Sequence, residues 1–227
     1  MSYPRELREE LKQLLAGQGE VLAICFVACT ALLMPAYYPL RLAALGPSWQ
    51  GMAAIVGRAA VFLALPLATL PLLRRAPADV GFRLGRPRRW LLDVALCYLL
   101  LLPLLLAWSR QASFRRVYAS DGFGRMTWQQ ILVVQAASLV ALFAVEFLCR
   151  GYLLFGLRPA LGNAALAVQA ITFAVMHAGK PAPEAFLAYG FGLGLGLLAL
   201  RSGSILPGVL LHYACAASLD LLAFASW

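Results

Sequence analysis

Three ionisable side chains, Glu146, His177 and His212, interrupt long apolar runs in the second half of the sequence. A charge near the middle of a bilayer costs at least about 2.5–3.5 kcal/mol, so such residues usually face a protein interior and carry function. Carboxylates and imidazoles are groups that accept and return protons during catalysis. Their types and setting therefore predict water-activating chemistry inside a membrane.

The amino-acid composition indicates a membrane protein. Hydrophobic residues make up 62% of the chain and charged residues only 13%, whereas soluble domains are about 25% charged. Apolar stretches of about 17–25 residues can cross the hydrocarbon core as helices. We therefore predict an all-α polytopic membrane bundle of about seven to eight spans, with residues 1–227 forming a single membrane domain. The predicted spans are 21–39, 52–73, 90–108, 129–148, 163–178, 183–200 and 204–224, and 149–160 is a further short helix in the eight-element version.

The net charge of +9 would suit a nucleic-acid partner, but the arginines gather in short loops beside the spans. Six of them lie in segment 74–89, which also contains two prolines and two glycines. The positive-inside rule then predicts a multi-pass protein of the cell (inner) membrane with a cytoplasmic N-terminus and no nucleic-acid partner. The same arginines either contact anionic membrane lipid or serve only to set the topology.

Glu146 and Arg150 are four residues apart, so on a helix they share one face and can pair. One interpretation is a structural ion pair at a helix end, and the other is a functional carboxylate. Gly151 and Pro159 predict that the helix ends or bends just past the pair.

The two histidines of the chain both lie at membrane depth. His177 ends the fifth predicted span, and His212 lies about two turns into the last one. A single histidine in an apolar helix is more often packing than chemistry, but a second one favours a site. The glycines of the span between them, at positions 190, 192, 194 and 196, predict two small-residue faces that let helices approach closely and bring Glu146, His177 and His212 together.

The order of these motifs resembles a known family. The chain reads Glu-x-x-x-Arg-Gly, then Phe-x-x-x-His, then a glycine-rich span, then Arg-Ser-Gly-Ser-Ile-Leu-Pro-Gly-x-Leu-Leu-His. This pattern is similar to that of the CPBP family, the CAAX protease and bacteriocin-processing (Abi) intramembrane proteases. The resemblance covers about 130–225, the expected catalytic core, while the spans of 1–129 fit only loosely. It implies a membrane endopeptidase that cleaves a peptide or protein tail from a water-accessible cavity.

The resemblance also implies roles for individual residues. Glu146 matches the second glutamate of the first motif, Arg150 its arginine, Phe173 and His177 the second motif, and His212 the third. In the family the first glutamate and the second-motif histidine activate water, and the third-motif histidine and asparagine stabilise the oxyanion. Here the first glutamate is replaced by Val145 and the asparagine by Ala216, side chains that neither hold a proton nor donate a hydrogen bond.

Three hypotheses follow for the site. In the first, Glu146 takes over as base with His177, and His212 alone serves the oxyanion, with no cofactor. In the second, the chain is a catalytically silent relative that binds a membrane peptide or partner protein without cleavage. In the third, Glu146, His177 and His212 bind a metal such as zinc, although the H-E-x-x-H signature is missing.

A proton-coupled transporter is a fourth class, but no inverted repeat supports it. We rank the protease first because buried ionisable groups are costly without use. The strong preference for arginine over lysine and the many alanines and leucines suggest a bacterial source, which argues against prenylated substrates. The identity of the substrate and the oligomeric state are left open.

Overall fold

A computed structural model describes residues 3–15, 18–37, 47–114, 116, 126–178, 180 and 182–225. The helices are α1 (Tyr3–Leu15), α2 (Gly19–Tyr37), α3 (Pro47–Thr69), α4 (Pro87–Ser109), α5 (Trp128–Leu161), α6 (Ala164–Val175), α7 (Ala182–Ser202) and α8 (Leu206–Ala225). A short 3₁₀ turn, Pro77–Val80, lies between α3 and α4. These ranges contain no strand, and the predicted all-α membrane bundle is confirmed.

Each of the seven predicted spans corresponds to an apolar helix, but the helices fall into two classes. Four are long and apolar enough to cross a membrane: Gly19–Ala36, Pro87–Ser109, Trp128–Leu161 and Leu206–Ala225. The apolar parts of the other three are shorter: Ala53–Thr69, Ala164–Val175 and Phe186–Ser202. Segment 149–160 is no separate element, because it continues α5.

Helix α5 begins where Thr127 caps it. The Thr127 hydroxyl accepts a hydrogen bond from the Gln130 amide, and the Gln130 side chain accepts one from the Thr127 amide, a reciprocal capping box. The helix is α-helical over Trp128–Glu146, widens to π-helical turns over Phe147–Phe155, and returns to α-helix over Gly156–Leu161. The π-helix is rare, and the single π-helical turns found in α-helices often lie at functional sites.

The predicted end of this helix just past Arg150 is wrong, because the helix continues to Leu161; the alternative of a bend there stays a prediction. Gly151 continues the helix, and its missing side chain makes room for a neighbour: a Cβ there would lie 2.9 Å from the carbonyl oxygen of Val80. At the return to α-helix, Arg75 donates to the carbonyls of Phe155 and Gly156 at 3.3 and 3.1 Å. Packing from the segment before α4 thus supports the wide turns.

The interior of the bundle surrounds the π-helical stretch. Eight of its nine residues are buried, and it packs against α2, α3, α6, α7 and the 3₁₀ turn. The α-helical first part of α5 packs against α3 and α8, while α8 also contacts α4 and α7. The π-helical stretch is therefore enclosed by other helices, which buries Arg150 and the preceding Glu146, whereas the first part of α5 exposes Leu132 and Val140.

The glycine-rich helix α7 uses only one of its two predicted small-residue faces. A Cβ at Gly196 would lie 2.5 Å from Leu166 Cδ1 of α6, and one at Gly192 would lie 3.3 Å from the Ala170 Cα. A Cβ at Gly190 or Gly194 would meet nothing within 4 Å. Close packing is thus confirmed for the face of Gly192 and Gly196, and the face of Gly190 and Gly194 is exposed.

Candidate active site

Glu146 is fully buried where α5 meets α8. Its Oε1 accepts hydrogen bonds from Arg150 Nη1 at 3.0 Å and from His212 Nδ1 at 2.8 Å. Its Oε2 has no hydrogen-bond partner among the described residues. Gly208 lies one turn before His212 and allows α8 to approach the Glu146 carboxylate closely, because a Cβ at Gly208 would lie 2.7 Å from Oε2.

Arg150 joins three helices. Besides pairing with Glu146 on α5, its Nη2 donates to the carbonyl of Gly192 on α7 at 3.3 Å. Its guanidinium carbon lies 4.4 Å from the centroid of the Phe173 ring on α6, within cation–π distance. The whole side chain is buried, so this charge is balanced by its contacts and not by solvent.

Gln169 was missed by the sequence analysis. It is fully buried on α6, and its Nε2 donates to the carbonyls of Gly192 and Leu166 at 2.9 and 3.0 Å. The Gly192 carbonyl is thus shared with Arg150. The sequence contained a signal for it, since burying a side-chain amide in an apolar helix costs free energy unless the amide is hydrogen-bonded.

Phe173 lies between the two histidines. The His177 ring centroid is 4.6 Å from that of Phe173, and the His212 ring meets Phe173 edge-on at 5.3 Å. His212 also meets Phe191 of α7 edge-on at 5.6 Å. The Nδ1 of His177 is 2.9 Å from the carbonyl oxygen of Phe173, one turn earlier.

The structure brings Glu146, Arg150 and His212 into direct contact, and Phe173 beside them. His177 joins this group through Phe173. Within the described part of the chain, His177 makes no hydrogen bond to Glu146, whose bonded oxygen is directed at Arg150 and His212. The partner that the structure gives Glu146 is therefore His212.

The hydrogen bonds of both imidazoles fix their tautomers. In each ring Nδ1 faces an oxygen that accepts, the Glu146 carboxylate for His212 and the Phe173 carbonyl for His177. A neutral ring that donates from Nδ1 keeps its lone pair on Nε2. About 10% of the His212 side chain is exposed and none of Glu146, so the imidazole is the member of the pair that a substrate can reach.

The buried group of Glu146, His212 and Arg150 lies in a part of the chain that matches a family model. Residues 127–218 match the family model described as type II CAAX prenyl endopeptidase Rce1-like. The chain carries an Rce1-like domain. The resemblance inferred from the sequence motifs is thereby confirmed. Comparisons with curated proteins and with solved structures found no match.

The match to the Rce1-like model supports a protein of the membrane endopeptidase kind, and four helices are long and apolar enough to cross a membrane. The matched range contains all five site residues proposed from the sequence: Glu146, Arg150, Phe173, His177 and His212. It begins one residue before α5 and ends within α8. The site geometry and the family match therefore coincide on the same four helices.

The two departures from the family pattern lie inside the Rce1-like domain. Val145 is partly buried and packs against an apolar cluster that includes Cys149, Phe173 and Ala188. Ala216 lies one turn past His212 and is partly buried. In the Rce1-like domain, apolar side chains therefore stand at both positions where the family pattern has polar ones.

The described residues of the same domain offer no group of three metal ligands. Among the described residues, no cluster of three or more His, Cys, Asp or Glu side chains could hold a metal ion. Glu146 already bonds to Arg150 and His212. The three-ligand arrangement of Glu146, His177 and His212 is therefore not formed here.

A second polar pair lies further along the same helix interface. Gln135 of α5 donates to Asp220 of α8 at 2.8 Å, and the hydroxyls of Tyr98 and Ser218 are 2.7 Å apart. The sequence analysis did not single out Asp220, although a carboxylate within the last apolar run carries the same signal as Glu146. Polar bonds thus tie α8 to α5 and to α4 away from the Glu146 pair.

Proposed function

We propose that this protein is an intramembrane endopeptidase of the CAAX protease and bacteriocin-processing type, which cleaves a peptide or protein tail near the membrane. The observation that carries the proposal is the 2.8 Å hydrogen bond between Glu146 Oε1 and His212 Nδ1. A carboxylate behind an imidazole orients the ring and stabilises its charged form. The match to the Rce1-like family model over residues 127–218 supports the reaction class.

In this proposal His212 is the general base. Its Nε2 takes a proton from water as the water oxygen attacks the carbonyl carbon of the scissile peptide bond. The Glu146 carboxylate stabilises the resulting imidazolium. When the carbon–nitrogen bond breaks, the imidazolium returns the proton to the leaving amine. The second water proton stays on the new carboxyl group, which releases it to the amine or to solvent, and His212 is again neutral.

This assignment changes two roles that the sequence suggested. There, Glu146 worked with His177 on the water and His212 faced the oxyanion. Here Glu146 positions His212, and the His177 ring contacts the Phe173 ring that also contacts His212. With Ala216 at the family's asparagine position, one oxyanion donor is lacking, and such a loss costs about 10²–10³ in turnover.

We place the protein, as part of the same proposal, in the cell (inner) membrane as a multi-pass protein with a cytoplasmic N-terminus. The excess of arginines in segment 74–89 supports this orientation. The segment joins α3 to α4 at the end of the bundle where α8 begins, so the site lies about two turns below that surface.

The test uses purified full-length protein and a set of candidate tail peptides. We expect cleavage that falls by about 10²–10⁴ in Glu146→Gln and His212→Ala. Gln135→Leu, which removes a polar group from the same helix pair away from the site, is the matched control and should retain activity. Equal turnover in the wild type and His212→Ala would contradict the assignment.

A second candidate, a silent relative that binds a membrane peptide without cutting it, is favoured by the apolar side chains at Val145 and Ala216. It predicts an inert parent that still binds peptide. In that case the double substitution Val145→Glu and Ala216→Asn should switch on cleavage. An active parent protein would exclude this candidate.

A further inference from the structure

A basic face lies at the end of the bundle where α4 and α8 begin. Segment 74–89 meets the start of α2 there, since Arg75 bonds to Glu20, and it meets the end of the π-helical stretch at Phe155. The end of α7 meets the start of α4 there, since Arg201 pairs with Asp93. We define the basic face by five exposed arginines: Arg74, Arg86, Arg88, Arg89 and Arg158.

The five arginines of the basic face differ from their neighbours in having no acidic partner among the described residues. Arg75, Arg83 and Arg201 form ion pairs with Glu20, Asp79 and Asp93. In the described ranges, none of the basic-face arginines pairs with a carboxylate. The face therefore carries a concentrated excess of positive charge.

The backbone that presents these arginines is held in place. The amide of Ile205 donates to the carbonyl of Gly81 at 3.1 Å, the hydroxyl of Ser204 donates to the carbonyl of Arg83, and the indole of Trp90 donates to the carbonyl of Leu84 at 2.8 Å. A topology signal requires charge on the correct side and no fixed backbone. The segment therefore presents its arginines at fixed positions, which suits a binding surface.

The position of three arginines opposes local helix stability. Arg86 precedes the first residue of α4, Arg88 and Arg89 lie in its first turn, and that turn holds no acidic residue. Positive side chains are disfavoured at a helix N-terminus, where the helix dipole is itself positive. An anion drawn to the arginines would relieve this repulsion.

Exposed leucines beside the arginines identify the anion. Leu72, two residues before Arg74, is 80% exposed, and Leu84, two residues before Arg86, is 62% exposed. Arginines next to apolar side chains at the ends of membrane helices match a phospholipid, which offers a phosphate and acyl chains together. We propose that the basic face binds anionic phospholipid headgroups, with Leu72 and Leu84 against the acyl chains.

The bound lipid would also act on the candidate site. The Phe82 ring lies 4.9 Å from the ring of Phe147, the residue after Glu146. The Val80 carbonyl abuts Gly151, the residue after Arg150. Because Gly81 also bonds to Ile205 at the start of α8, the same segment contacts both helices of the Glu146–His212 pair.

The experiment measures lipid binding on the purified full-length protein, so it does not depend on the proposed peptidase activity. Phosphatidylglycerol and phosphatidylcholine are titrated in detergent, and bound lipid is counted by native mass spectrometry. We expect phosphatidylglycerol to bind more tightly to the wild type. Removing two arginines by Arg88→Gln and Arg89→Gln should weaken its binding roughly 25-fold, about fivefold for each charge.

Two control variants separate position from charge. The Arg88→Lys and Arg89→Lys protein keeps the charge and should retain most of the binding. The Arg58→Gln and Arg116→Gln protein removes two exposed charges elsewhere and should bind like the wild type. Equal loss in both glutamine pairs would overturn the basic face as the site.

Two further arms complete the test. Inorganic phosphate at the same concentration should not displace phosphatidylglycerol, and full displacement would show a small-anion site in place of a lipid site. Phosphatidylglycerol should raise the unfolding temperature of the wild type more than that of the glutamine pair. Equal binding of the two lipids by the wild type would refute the proposal, even if the glutamine variant did not fold.

Discussion

Glu146 and His212 are joined by a 2.8 Å hydrogen bond between Oε1 and Nδ1, and the same oxygen accepts from Arg150 at 3.0 Å. One carboxylate oxygen thus links α5 to α8. A carboxylate placed to receive a proton from water would need an accessible oxygen, yet Glu146 is fully buried. This burial supports the proposed roles, in which Glu146 positions His212 and the imidazole acts on water.

The Glu146–Arg150 pair gives the first prediction. Both side chains are fully buried, so removing one leaves an uncompensated charge, which costs about 3–5 kcal/mol of unfolding free energy. Arg150→Met should show this loss in an SDS unfolding titration of the protein in mixed micelles.

The double variant Glu146→Gln and Arg150→Met should lose less stability than the sum of its single changes, because neither charge is then left alone. Additive losses would mean that the two charges do not depend on each other. The exposed pair Lys12 and Glu9 is the control for this cycle, with a coupling of at most about 1 kcal/mol.

Gly208 gives the second prediction. Gly208→Ala would place a Cβ 2.7 Å from Glu146 Oε2, so either the carboxylate or α8 must shift. We expect a loss of cleavage in an active parent and a lower unfolding free energy. Gly194→Ala is the matched control, because a Cβ there meets nothing within 4 Å and alanine is the better helix former. If the two variants behave alike, the close approach of α8 to Glu146 is not required.

The two histidines give the third prediction. Each Nδ1 faces an oxygen acceptor, so both neutral rings should carry hydrogen on Nδ1 and a lone pair on Nε2. Nitrogen-15 NMR of selectively labelled histidine distinguishes the tautomers directly. In Glu146→Leu the His212 ring loses its acceptor and should become a tautomer mixture, while His177 keeps its spectrum. A change in His177 alone would contradict the described pairing.

The sequence predicted the helices and the site residues by one physical argument, the cost of polar groups in an apolar run. That argument identified Glu146, Arg150, His177 and His212, and applied further it would have identified Gln169 and Asp220. It could not predict which histidine bonds to Glu146, because that depends on how α6 and α8 pack around Phe173. It also could not tell the packed Gly192 from the exposed Gly194, since both have the same spacing on one helix.

The π-helical turns after Glu146 had no signal in the local sequence. Gly151 and Pro159 suggested a break, whereas the contacts that support the wide turns come from segment 74–89, about 75 residues earlier. The helix propensity of single residues predicts local structure weakly. In this stretch, side chains from elsewhere bond to backbone carbonyls that a regular α-helix would pair internally. Residues outside the Rce1-like range therefore contribute to the shape of the site.

Arg75 provides the test of that idea and the fourth prediction. Its guanidinium donates to the carbonyls of Phe155 and Gly156 while pairing with Glu20. Arg75→Gln removes these bonds at the end of the π-helical stretch, and each hydrogen bond to a charged group contributes about 1.5–3 kcal/mol. We expect faster amide hydrogen exchange across 147–156 and lower cleavage by an active parent, although Arg75 lies outside residues 127–218. Glu20→Gln, which spares the two carbonyl bonds, should leave exchange in that stretch unchanged. If exchange across 147–156 is the same in Arg75→Gln and the wild type, the π-helical turns of α5 do not depend on Arg75.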